Sequence, residues 1–325
     1  MNLLNKLLVG IFTSAVALSS AAQQFPTRPV KIVLPYPPGG PTDTFARALS
    51  IKLAEKWGQP VVVDTRPGAS EMIAAQLVAN SKPDGHTILF STDSALTLNQ
   101  YLFKEMAYDP VTDLVPVTQL TNTPFAFVVP PDSEAKTLEQ FIGLAKQNPG
   151  KYSFGAGGVL GVTQFAFADL ATSPNVNIDA LIVPYSGLGT VLPDLLSSRV
   201  DSTFGGIAAV EQFVKAGKLN ALAVGGTSRS AALPDIPTFK ELGYPAVNAG
   251  FFSGLSVAKG TPPEIVQKIS SDIREVVSTK EFRAQNIDPF ALELIASTPE
   301  DFTEFLKQNR IQQQERIRKS GTQPT

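Results

Sequence analysis

Short β-branched runs alternate with amphipathic helical patterns almost from end to end of this chain, and that alternation confines it to one class of architecture. Val30–Leu34, Val61–Asp64 and Thr87–Ser91 read as buried strands. Between them, Thr42–Trp57 carries Phe45, Leu49, Leu53 and Trp57 at a spacing of four, one apolar helical stripe, and Met72–Ser81 reads as a second helix. A βαβαβ series of this kind makes a parallel sheet with helices on both faces. The pattern then restarts. Strands at Phe125–Val129, Tyr152–Phe154, Ile178–Val183, Ser202–Phe204 and Leu219–Val224 alternate with helices at Leu138–Gln147, Val162–Ala171, Thr190–Ser197 and Ala208–Ala216. The C-terminal part adds a strand, Phe251–Val257, and two long helices, Pro263–Ser278 and Pro299–Arg318. Packed back on the first series, these elements make the chain cross twice, near Thr123 and near Gly225. Two crossings make a hinge. The expectation is two α/β lobes, with residues 23–124 and 226–325 in lobe 1 and residues 125–225 in lobe 2.

The first residues predict export. Lys6 precedes an apolar run, Leu7–Leu18, that is too short to span a bilayer, and Ser20-Ala21-Ala22 supplies small residues for cleavage. Residues 1–22 are therefore expected to be a signal peptide. The chain has no cysteine, which excludes disulfides, thiol catalysis, thiolate metal sites and a lipid anchor on cysteine. A net charge of −2 over 325 residues offers no basic field for nucleic acid or an anionic membrane.

The chemistry sits at strand ends. Leu34–Arg47 runs from a strand through Pro37-Pro38-Gly39-Gly40-Pro41 into a helix. The glycines permit positive φ and close approach, Thr42 is positioned to cap the helix, and Asp43 favours its dipole and organises the loop. First-turn N–H groups without partners form an anion site from backbone alone. Phe154–Val159 has the same character in the other lobe, with Thr163 and Gln164 as side-chain donors. Softer candidates end other strands: Ser91–Ser94, Pro184–Gly189 with Tyr185, and Phe204–Gly206. Phe165, Phe167, Phe251 and Phe252 read as core, with one or two available to line an apolar pocket.

Catalysis is poorly provisioned. The only histidine, His86, lies in a turn and reads as a surface residue, and no G-x-S-x-G elbow exists. Neither G-x-G-x-x-G nor a G-x-x-x-x-G-K-[ST] loop occurs, and no calcium loop is present. No cofactor and no metal are expected.

The chain resembles the Bug receptors, the extracytoplasmic solute receptors of tripartite tricarboxylate transport systems. The resemblance is carried, in order, by Pro29–Val33, Pro38–Asp43, Val63–Gly68, Lys82–Gly85, Tyr152–Gly155, Val183–Gly187, Ala216–Leu219 with Ala221–Val224, and Leu233–Thr238. It implies a type II-like Venus-flytrap fold of the periplasmic binding proteins, with a central sheet flanked by helices in each lobe. It further implies a non-enzymatic periplasmic receptor, acting as a monomer, that binds a small organic carboxylate and presents it to membrane permease subunits. The carboxylate contacts would lie on Pro38–Asp43 and Gly155–Thr163. Combined with the strand-end candidates, the expected ligand-binding set is Tyr36, Pro38, Gly39, Gly40, Thr42, Asp43, Thr92, Ser94, Ala156, Gly157, Gly158, Thr163, Gln164, Tyr185 and Gly206. The family loop usually continues with serine and then histidine. Here Gln164 stands at the histidine position and Phe165 follows, which points to a less polar acid, aromatic ones included. A receptor feeding a sensor kinase is the competing reading, and a secreted hydrolase or isomerase the third.

Overall fold

In the computed structural model, residues 25–157, 162–320 and 322–324 are described; the expected signal peptide, residues 1–22, lies outside them, as does Gly158. The expected alternation is present. In chain order the elements are β1 (Val30–Leu34), α1 (Pro41–Trp57), β2 (Val61–Thr65), α2 (Met72–Ala79), β3 (Thr87–Thr92), α3 (Asn99–Leu102), β4 (Leu114–Val129), α4 (Leu138–Gln147) and β5 (Ser153–Gly157). There follow α5 (Val162–Ala171), β6 (Leu181–Tyr185), α6 (Leu188–Leu196), β7 (Ser202–Gly206), α7 (Ile207–Lys215), β8 (Asn220–Val224), β9 (Gly250–Ala258), α8 (Pro263–Ser278), α9 (Lys280–Asn286), β10 (Glu293–Leu294) and α10 (Pro299–Ser320).

The sixteen-residue β4 organises the molecule. Its first part pairs with β9 in a sheet of order β2-β1-β3-β9-β4, where β1, β2 and β3 are parallel and β9 runs antiparallel to its neighbours. Its last residues pair with β7 and β8 in a second sheet, in which β7, β5 and β6 are parallel. Only Phe125–Val129 of this strand was expected from sequence. Thr118, Gln119, Thr121 and Asn122 surround a single apolar Leu120 and carry no alternating apolar signal, yet all but the half-buried Asn122 are buried between β9 and the packed helices. The change of sheet falls at Pro124, opposite Gly250. Gly250 has φ 156°, and a Cβ there would come within 2.6 Å of the Thr123 carbonyl.

Each sheet is covered on both faces. On the first, Phe45, Leu49 and Leu53 of α1 meet Ile265, Ile269 and Ile273 of α8 over β1 and β3. The opposite face carries Ala74, Ala75 and Val78 of α2 with Phe302 and Leu306 of α10. The stripe inferred for the first helix is thus the buried one, and Trp57 ends it with its indole N–H on Asp272, 2.7 Å away. Gly254 lets α10 seat: a Cβ there would lie 2.4 Å from the Phe302 ring and 3.0 Å from the Thr118 carbonyl. Gly254→Ala is expected to cost about 1–3 kcal/mol by overpacking, read as a lower urea midpoint at an unchanged slope; an unmoved midpoint would mean that α10 is loosely held there.

The second sheet reads as alternating Phe and Gly. Phe127, Phe154 and Phe204 point to one face and meet Phe141 and Phe167, with ring centroids of Phe154 and Phe167 4.3 Å apart. Aromatic pairs of this kind add about 0.5–1.5 kcal/mol each beyond burial. On the other face, Gly155 and Gly205 let helices close in, since a Cβ would stand 2.7 Å from Val191 or from Val210. This corrects the expectation of a glycine loop from Phe154: the strand continues to Gly157, and its Gly155 serves helix packing.

Two further expectations change. Residues 226–249, expected with lobe 1, pack with the second sheet: Leu233 joins the α6–α7 core, and Phe239, Val247 and Ala249 join the phenylalanine core. A bridge from Val224 to Thr238 ties this stretch to the second sheet's strand β8. His86 is not a surface residue but buried, edge-on to Phe25 at 4.9 Å. Its Nε2 accepts from the Thr27 N–H at 3.2 Å, so it fastens the segment that leads into β1.

Candidate functional site

The loop after β1 is built by its own residues. Gly39 takes φ 91°, a conformation that glycine adopts at no steric cost. Gly40 is extended and is the N-cap of α1, with Pro41 in the first helical position. Thr42 therefore does not cap the helix as expected; it sits two residues too far in, and no side chain caps this terminus. Asp43 does hold the loop: its Oδ2 accepts from the Gly39 N–H at 3.0 Å and from Arg47 Nε at 2.9 Å. The Arg47 guanidinium, then the Gly39 amide, keep its carboxyl below the usual carboxylate range.

Across the gap, Gly206 is the N-cap of α7, again without a side-chain cap. The first turns of α1 and α7 open on the same cavity of about 230 Å³, which Pro41 and Thr42 line from one lobe and Gly206, Ile207, Ala208 and Ala209 from the other. Its floor is the crossing strands, through Thr121 and Thr123 of β4 and Phe251 and Ser253 of β9. Two helix starts with unpaired N–H groups, facing one space, make a place for an anion. No charged side chain is among the described residues that line it. A larger cavity, about 380 Å³, lies against the other face of the crossing strands. Its buried Asp169 and Arg316 are paired with each other, and unlike the smaller cavity its lining carries charged side chains.

A buried carboxylate that sequence reading overlooked organises the first wall. Ala69, Ser70 and Glu71 take φ of 44°, 54° and 75°, three successive left-handed residues, each costing on the order of 1–3 kcal/mol. The turn drives Glu71 under the strand ends, where it accepts from the Tyr36 hydroxyl, the Thr92 hydroxyl and the Thr92 N–H (3.0 Å). Burial raises its pKa, and these hydrogen bonds oppose the rise. Burial likewise pushes the Tyr36 phenol well above its ordinary value, with the Glu71 charge adding to it.

The model of the tripartite tricarboxylate transporter family receptor matches residues 45–322. The chain belongs to this family. It is thus a periplasmic solute-binding receptor and not an enzyme. BugT of Bordetella pertussis is 33% identical over 308 residues, 92% of this chain and 91% of its own. Among solved structures, a Rhodopseudomonas palustris protein with adipate superposes with a TM-score of 0.77 at 27% identity, covering 93% of this chain and 100% of its own. MatC from the same organism, with bound malate, gives 0.71 at 27% identity over 90% and 100%.

The receptor brings its expected site residues together unevenly. Tyr36 and Thr92 meet on Glu71, with 3.3 Å between their hydroxyls; Thr92 lines the cavity, whereas Tyr36 is not among the residues that line it. Ser94 opens a π-helical turn directly after β3 and is half-buried. Pro38 is exposed beside Gly39. Ala156 and Gly157 end β5 in register with Pro184 and Tyr185 of β6. The Tyr185 hydroxyl turns to Asp194, 2.7 Å away. Thr163 is buried and gives its proton to the Gly157 carbonyl at 2.9 Å, which fixes the start of α5 rather than leaving a free donor. Gln164 is exposed. Thr42, Thr92 and Gly206 share the cavity. Of the four phenylalanines, Phe251 lines it, whereas Phe165, Phe167 and Phe252 are core. Thr121, Thr123, Ser253 and the first turn of α7 were missed. The polar β4 segment gave no strand signal, and Gly206-Ile207 reads as an ordinary strand-to-helix junction.

Proposed function

We propose that this receptor captures a small organic carboxylate between the strand ends of its two lobes and delivers it to the permease subunits of a tripartite tricarboxylate transporter. One observation carries the reading: an uncapped helix start from each lobe opens on a single cavity without a charged wall. A carboxylate there receives N–H groups from both lobes, and closure about β4 and β9 completes its shell. Two relatives of the same fold were solved with acids, adipate in one and malate in the other, which supports the ligand class. The lobe boundaries we assign follow the packing, with the crossings at Pro124 and Gly250.

The test removes one amide. Ala208→Pro deletes an N–H in the first turn of α7, where proline is tolerated. A hydrogen bond to a charged group contributes about 1.5–3 kcal/mol, so affinity for a bound acid should fall roughly 10- to 100-fold by calorimetry, with an unchanged melting temperature of the free protein. An unchanged affinity would show that the α7 turn does not hold the carboxylate.

A further inference from the structure

The cavity between α1 and α7 says more about the guest than that it is an acid. Six apolar side chains form its body: Phe45 and Phe90 beneath, Phe251 on the crossing strand, Phe290 and Leu292 ahead of β10, and Ile207 from the second lobe. Phe45 and Phe90 are almost fully buried and meet edge-on with centroids 6.0 Å apart, so each ring is held by its packing. Phe251 is braced by Phe125 at 5.9 Å.

The polar groups are few and mostly spent. Thr121 and Ser253 share a hydrogen bond of 2.8 Å, and the Thr92 hydroxyl is given to Glu71. The hydroxyls of Thr42 and Thr123 have no side-chain hydrogen bond among the described residues, and both sit by the helix starts and the crossing. Free donors are therefore few, and most of the lining is hydrocarbon.

We infer that the ligand of this receptor is an organic acid with a single carboxylate and an apolar, ring-bearing body. The carboxylate lies at the α1 and α7 starts, and the body fills the space framed by Phe45, Phe90, Phe251 and Leu292. A second carboxylate would be moved from water to a wall without a cation, and an unpaired buried charge is strongly disfavoured. Flat rings also match aromatic walls that meet edge to face. The inference rests on the carboxylate reading and narrows it: it separates this chain from its adipate- and malate-bound relatives.

The full chain is titrated by calorimetry with benzoate and phenylacetate as single-carboxylate probes, and with adipate and malate as diacids. At least one ring-bearing acid should bind ten or more times tighter than either diacid. Leu292 is half-buried at the edge of the cavity. Leu292→Lys should weaken the ring-bearing acid at least tenfold and favour the diacids, while Leu292→Met should keep the original order. Tighter binding of a diacid to the unaltered protein, or a ring-bearing acid indifferent to Leu292→Lys, would overturn the apolar cavity while leaving the carboxylate reading intact. Failure of all four acids to bind would overturn both.

Discussion

Asp169→Ala should be among the most damaging single substitutions in this protein, costing about 3–5 kcal/mol of stability by urea unfolding. The Asp169 carboxylate on α5 meets Arg316 Nε on α10 at 2.9 Å, with 8% and 6% of the two side chains exposed. The Asn248 N–H adds a bond of 3.3 Å to the same oxygen. Arg316 also reaches Gln313 Oε1 at 3.1 Å and the Asn248 carbonyl at 3.3 Å, and its guanidinium lies over the Phe165 ring. Burial pushes the Asp169 carboxyl up to about 6 in spite of this cation, so the pair is ionised at neutral pH. Alanine at 169 strands a buried cation, and that penalty, more than the lost attraction, sets the size of the effect. It follows that Asp169→Leu with Arg316→Met should recover most of the loss, because neither charge is then left alone. A loss under about 1 kcal/mol for Asp169→Ala would match an exposed pair; it would mean that the lobes part and water reaches Arg316.

This pair also marks where reading the sequence stopped. The alternation of strands and helices was legible because each apolar run is short, β-branched and bounded by Pro, Gly or Asn, and the helix over Thr42–Trp57 declares its stripe at every fourth residue. The loop at Gly39 was legible for the same reason: only certain residues make that turn. The last helix was visible as a helix, but its destination was not. Phe302 and Leu306 bind it to the first sheet in the ordinary apolar way. Further along, its buried face turns polar through Asn309, Gln313 and Arg316, and a polar face reads as solvated. Thr97 donating to Asn309 at 2.7 Å shows what such a face is for, and the partner lies 212 positions away. Glu71 was hidden similarly, since its burial depends on three left-handed residues that no composition rule announces. In each case local pattern sufficed where hydrocarbon met hydrocarbon, and failed where a polar group was paid for by a distant partner.

Asp93 predicts how the whole receptor responds to acid. It follows β3, is buried, and faces Gln313 at 3.5 Å, with Arg316 and Glu71 as the charges that act on it. Burial first, and then the Glu71 carboxylate, push its pKa up to about 7, with Arg316 opposing. In the unfolded chain an aspartate titrates at about 3.9. Between those two values the folded protein holds a proton that the unfolded chain has released, so stability falls as pH rises through the window and levels off above about 7. Asp169, raised to about 6, and Glu71, also raised by burial, act in the same sense. Asp43, Asp64 and Asp84 are shifted below the ordinary range and act in the opposite sense only under more acidic conditions. The urea midpoint should therefore be higher at about pH 5 than at about pH 8, by an amount on the order of a few kcal/mol at roughly 1.4 kcal/mol per pKa unit. Asp93→Asn should remove the greater part of that slope, since an amide keeps the shape of the protonated acid and no longer titrates. A midpoint that climbs from pH 5 to pH 8, or a slope untouched in Asp93→Asn, would place the controlling proton on another group.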